Sequence, residues 1–173
     1  MKYKKILMLD IDGVLNNVSF LQNCHAVWLK MTSPAKTFRE ADRFRMEQDL
    51  SPDNIKNLKK ILREIPDLRI VLSSTWRLTY NLEDIKTVFK KFGIPKYKVI
   101  GKTPHKMSME RCHEILSWLQ YNNFEGCWAA VDDVCIFSSP EYIKHEFHTE
   151  SSDGLTEAIA DNIIKYFKKE IDV

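Results

Sequence analysis

Short, almost wholly apolar runs recur along the chain, each ending in polar residues and most followed by a segment of helical period. KILML at 5–9 runs into Asp10 and Asp12. LRIVLSS at 68–74 ends in serines, YKVIG at 97–101 is a shorter third run, and CWAAVDD at 127–133 ends in two acids. HEFHT at 145–149 reads as a short fifth strand. Strands apolar on both faces need cover on both faces. The intervening segments supply it. Ser51 followed by Pro52 makes an N-cap and a first turn, and Ile55, Leu58, Ile61, Leu62 and Ile65 keep helical spacing until Pro66. A second helix runs from about Leu82 to Phe92 and stops at Gly93. Ser108 caps a third through Ile115, Leu116 and Leu119, and a fourth after Gly154 turns Leu155, Ile159, Ile163, Ile164 and Phe167 inward. The alternation predicts an α/β fold: a three-layer, Rossmann-like parallel sheet with helices on both faces and right-handed crossovers.

The chain is read as one domain, 1–173. Residues 17–50 break the alternation, with patchy helical spacing, many charges and a Ser-Pro break at 33–34. They read as a small cap or flap of one or two short helices inserted after the first strand, not as a second core. Charge excludes little here. A net +2 does not by itself call for nucleic acid, and the lysine clusters in NLKKILRE, FKKFG and YFKKE read as solvated helix faces. Cys24, Cys112, Cys127 and Cys135 form no CxxC pair, so reduced thiols are expected rather than a metal cluster or disulfide framework. The first apolar stretch breaks at Asp10, too early for a signal peptide. No run of about eighteen apolar residues suggests a membrane span. The expectation is a cytoplasmic protein with no membrane contact and no obligate protein partner.

In an open parallel sheet the ligand crevice lies beyond the carboxyl ends of the strands. Asp10 and Asp12 follow the first strand, Ser73 to Thr75 the second, and Asp132 and Asp133 the fourth. Each has a plainer reading: DxDG as a turn, SST as a helix entry, DD as a solvated loop. Placed together at one sheet edge, four carboxylates repel unless a cation or a shifted proton relieves them. Oxygen donors of this kind suit Mg²⁺, which takes a few carboxylates and a substrate phosphate.

DIDGVLN, the strand-terminal serine of IVLSSTWR and the acid pair of AAVDD resemble the first, second and fourth motifs of the haloacid dehalogenase (HAD) superfamily. SSTWR, IGKTP, the RCHEILSWL helix and FHTESSDGLTEAI resemble the HAD domain of Swiss Army Knife RNA-repair proteins, over nearly all the chain outside 17–50. The resemblance implies a phosphatase working through an aspartyl-phosphate. Asp10 is then the nucleophile, and Asp12 the acid that protonates the leaving oxygen and the base that activates water. Mg²⁺ falls to the Asp10 carboxylate, the Asp12 carbonyl, Asp133, and Asp132 directly or through water. Ser73, helped by the Ser74 amide, binds a phosphate oxygen, and Gly13 leaves the phosphate room to approach the backbone. The phosphate-binding cation is Arg111 or Lys106, with Lys102 a more distant choice. Arg77 contacts substrate or supports its loop, Trp76 packs, and His105 stands at the rim.

A small flap leaves the site open to a bulky substrate, an RNA or DNA end or a nucleotide, with Trp28 and Phe38 as stacking candidates. A small-metabolite phosphatase and a non-catalytic HAD-like binding module are the alternatives. Intact Asp10, Asp12, Ser73 and Asp133 weigh against the last.

Overall fold

The strand β1 (Lys5–Leu9) lies at the centre of a five-stranded, all-parallel sheet, with β2 (Leu68–Leu72) and β4 (Cys127–Asp132) as its neighbours. β3 (Val99–Lys102) adds outside β2 and β5 (Glu146–His148) outside β4, giving the order β3-β2-β1-β4-β5. The computed structural model describes residues 3–28, 36–105 and 109–169, apart from the side chains of 24–28. Eight helices accompany the sheet among these residues: α1 (Val18–Trp28), α2 (Phe38–Asp49), α3 (Pro52–Glu64), α4 (Trp76–Thr79), α5 (Leu82–Lys91), α6 (Arg111–Tyr121), α7 (Pro140–Ile143) and α8 (Glu157–Lys169). No helix among them is long and apolar enough to cross a membrane.

The period-two alternation of the strands sorts the core into two layers. Leu7 and Leu9 join Ile70, Leu72, Ala129 and Val131 under α3, α5 and α8. Ile6 and Met8 join Val71 and Ala130 under Ile115, Trp118 and Leu119 of α6. Both sides of the sheet are therefore buried, which is why every residue of KILML is apolar except the first.

The helix boundaries follow local chemistry. Ser51 accepts from the Asn54 amide to start α3, with Pro52 in the first turn. Gly93 ends α5 at φ +85, its amide on Lys90 O and that of Ile94 on Phe89 O. That is a Schellman closure, and it needs the left-handed conformation glycine adopts freely.

Some elements depart from the expected boundaries. The third strand starts at Val99, because Lys96–Lys98 wind into a 3-10 turn that buries Lys98 with its Nζ 2.6 Å from Pro66 O. α6 begins at Arg111, and the expected cap Ser108 lies outside the described residues. Leu155 is buried but precedes α8. α4 and α7 are single turns, too short to show a helical period.

The 17–50 segment forms α1 and α2. Asn17 Oδ1 receives the Phe20 amide at 2.7 Å, while Asn17 Nδ2 bonds Asn54 Oδ1 at 2.7 Å, so the entry to α1 is tied to the start of α3. α2 lies against α5. Met46 and Leu50 enter the main core, and Arg39 Nε bonds both oxygens of the buried Asp84 at 2.8 and 2.7 Å. Residues 29–35, which join the two helices, lie outside the described set.

Candidate active site

The ladder continues past the strand ends and sets the polar residues in a row. The Asp10 amide bonds Val131 O at 3.1 Å and the Ser73 amide bonds Leu9 O at 2.8 Å. Asp10, Ser73 and Asp132 thus leave three adjacent strands at one level. Oxygens of Asp10, Asp132 and Asp133 all lie within 4.8 Å of one another. The donors are oxygens only, and a single guanidinium faces them. This set fits a hard divalent cation.

That guanidinium is Arg111, the first residue of α6. Its Nη1 donates to Asp10 Oδ2 at 2.6 Å and to Asp132 Oδ2. Burial disfavours the Arg111 charge, but the two facing carboxylates more than offset it and raise its pKa. Asp10 is 3 % exposed. Burial lifts its pKa above the ordinary range, against the pull of Arg111, of the Ile11 amide at 2.8 Å and of the Ser74 hydroxyl. Burial first, and the charge of Asp10 second, raise Asp132 to about 7. Two carboxylates this close and this dry resist double ionisation unless positive charge arrives.

Asp12 is held from three sides. Its Oδ1 accepts from Asn16 Nδ2 and from the indole Nε1 of Trp76, both at 2.9 Å, and its Oδ2 accepts from Thr75 Oγ1 at 3.0 Å. Trp76 is 7 % exposed and meets Tyr80 edge-on, so it packs and orients at once. Asn16, Thr75 and the indole were not expected as partners of Asp12. Asn16 had a signal, its position four residues on in DxDGxxN, whereas Trp76 had none.

Gly13 sits at φ +69, and a Cβ there would lie 2.2 Å from Asp133 Oδ2. The missing side chain therefore makes room for Asp133. Gly13→Ala combines left-handed strain of about 1–2 kcal/mol with displacement of the Asp133 carboxylate. The expected result is a modest drop in melting temperature and a disproportionate loss of divalent-metal affinity, on the order of tenfold, both read in one calorimetric series.

Ser73 Oγ is buried and has no hydrogen-bond partner among the described residues. Ser74, fully buried, accepts the Trp76 amide on its hydroxyl at 3.3 Å. Arg77 takes a position that supports the loop after β2. It is 5 % exposed, with Nη1 on Ser74 O at 2.5 Å and Nη2 on Glu114 Oε2. Glu114 also bonds His105 Nδ1 at 3.1 Å, which ties the β3–α6 connection to the same pair. Lys102 Nζ donates to Arg77 O at 3.1 Å, away from the acid cluster. Lys106 lies outside the described residues, as does the Trp28 side chain, while Phe38 is 95 % exposed.

Asp49, at the end of α2, adds a further carboxylate near Asp12. Burial first, and the charge of Asp12 second, raise its pKa from 3.8 to about 6. The folded protein then keeps a proton that the unfolded chain has lost between about pH 4 and pH 6, so stability falls as pH rises through that window. Asp49→Asn should leave stability at pH 4 unchanged and raise it at pH 7 by about 1 kcal/mol, discounted for partial exposure. Thermal melts at the two pH values check this.

A family model described as the HAD domain in Swiss Army Knife RNA repair proteins matches residues 6–160. Comparison with curated proteins and with solved structures gave no match.

Proposed function

The chain belongs to the family of HAD domains found in Swiss Army Knife RNA repair proteins, and from that premise we propose that it is a Mg²⁺-dependent phosphomonoester hydrolase using an aspartyl-phosphate on Asp10. The observation that carries the reading is the convergence of Asp10, Asp132 and Asp133 within 4.8 Å at the carboxyl ends of β1 and β4. The carboxylate of Asp10 attacks phosphorus, the bond to the leaving oxygen breaks, and the leaving oxygen takes a proton from Asp12. Water then attacks the phosphorus of the acyl phosphate, giving its proton to Asp12 and releasing Asp10. Asp10, the Asp12 carbonyl, Asp132 and Asp133 would hold Mg²⁺, which would supply charge neutralisation of nucleophile and phosphate.

The other residues orient. Arg111 and the Ile11 amide fix one Asp10 oxygen each. Asn16, Thr75 and Trp76 aim Asp12. The unpartnered hydroxyl of Ser73 is the group left to bind a phosphate oxygen. Arg111→Ala removes the guanidinium that bridges Asp10 and Asp132 through Nη1 and should lower kcat about 10²-fold. Lys106→Ala, assayed beside it, should fall much less, and the reverse order would reassign the cation.

The repair context of the family supports a nucleic-acid end or a nucleotide as the substrate. The test is hydrolysis of an aryl phosphate with Mg²⁺, repeated after chelation, followed by a panel of end-phosphorylated oligonucleotides, mononucleotides and sugar phosphates. Metal-dependent turnover that is fastest on nucleic-acid ends or nucleotides is expected. Turnover unaffected by chelation would remove the mechanism, and preference for sugar phosphates would replace the substrate.

A further inference from the structure

A cavity of about 570 Å³ opens between α4, the end of β3 and the C-terminal half of α6. Its size is that of a small-molecule site. The lining is mainly apolar, with Leu78, Pro104, Trp118 and Tyr121. Leu78 is 52 % exposed and Tyr121 88 %, so two large apolar surfaces face it uncovered. Polar groups are few but varied. Asn122 donates to Trp118 O at 2.8 Å, which fixes its amide and leaves its carbonyl oxygen as an acceptor. Ser117 and His105 add hydrogen-bonding groups, Lys102 adds positive charge, and no carboxylate lines the cavity among the described residues.

The cavity is joined to the acid cluster through the frame. α6 carries Arg111 at its start and Trp118 two turns on, about 10 Å along its axis. Arg77 lines the cavity and holds Ser74 O, and the Ser74 hydroxyl bonds Asp10. A flat apolar wall, a few hydrogen-bonding groups and positive charge without negative charge suit a planar heteroaromatic ring attached to an anion. A sugar ring would ask for a denser set of polar partners.

We propose that this cavity is a base-binding subsite, taking the nucleobase of a nucleotide, free or at a nucleic-acid end, whose phosphate is bound at Asp10. The proposal rests on the phosphatase reading for its second half only. Base binding in the cavity can be measured without turnover. Tyr121 and Leu78 supply the stacking faces, and Trp118 forms the floor.

The experiment is a calorimetric titration of the metal-free protein with adenosine, guanosine, cytidine and uridine. It is repeated on Leu78→Arg, which fills the cavity, and on Tyr121→Ala. Both positions are exposed, so neither change touches the core. At least one nucleoside should bind, and each variant should weaken it about tenfold or more. In the Mg²⁺ assay the same variants should raise KM for the corresponding nucleoside monophosphate to a similar degree. They should leave kcat/KM for glycerol phosphate, which has no ring, unchanged. Failure of all four nucleosides to bind, or equal binding by Leu78→Arg, overturns the subsite whatever the activity. Nucleoside binding in a protein that hydrolyses no phosphate keeps the cavity and overturns its coupling to Asp10.

Discussion

Asp10→Asn should leave a folded protein whose phosphomonoester turnover is at least about 10⁴-fold slower, equivalent to about 5 kcal/mol of barrier. The amide is nearly isosteric, but it is a poor nucleophile and a poor cation ligand. It also removes a charge that burial disfavours and that helps push Asp132 up to about 7. Loss of activity should therefore come with a melting temperature that is unchanged or higher in metal-free buffer. Steady-state kinetics with an aryl phosphate and Mg²⁺, alongside a thermal melt, read both quantities. Undiminished kcat would end the aspartyl-phosphate reading, because Asp10 is the residue of β1's end that meets Asp132 and Asp133.

Glu114→Ala should be the most damaging change away from the acid cluster, lowering stability by about 3–5 kcal/mol. The side chains of Glu114 and Arg77 are 5 % and 4 % exposed, and their ion pair lies between α4 and α6. Deleting one partner strands the other charge in a dry site. Arg77 Nε already lacks a hydrogen-bond partner, so little remains to absorb the loss. Denaturant melts of Glu114→Ala, Arg77→Met and the double variant test this as a cycle. The double variant should recover much of the stability lost by Glu114→Ala. Strict additivity would show that the pair is not coupled.

The strands were legible because burial on both faces leaves a strong mark in sequence. KILML at 5–9 is β1 to the residue, and CWAAVDD contains β4 entire. The acids were legible for a related reason. A charged residue directly after an apolar strand has one place to go in a parallel sheet, the crevice edge, and Asp10, Asp132 and Asp133 meet there. Side-chain partnerships across elements left no such mark. The Trp76 indole reaches Asp12 from 64 positions away, and nothing local distinguishes it from an ordinary packing tryptophan. Arg77 likewise was legible as a substrate contact or a support for its loop, but its partner Glu114 on α6, 37 positions away, was not. Gly13 was legible as a place where room is needed, whereas the closeness of Asp133 was not, since Asp133 is a neighbour only through the sheet.

The central place of β1 has a consequence for how such a molecule comes into being. Its first partner, β2, arrives only after the whole 17–50 segment and α3, and Lys5 finds its other partner at Cys127. During synthesis the strand that leads into Asp10 would emerge before either of its partners and stay unpaired on one edge until β4 had been made. Such distant pairing favours slow maturation, and it keeps the cluster of Asp10, Asp132 and Asp133 from assembling in nascent fragments that end before β4.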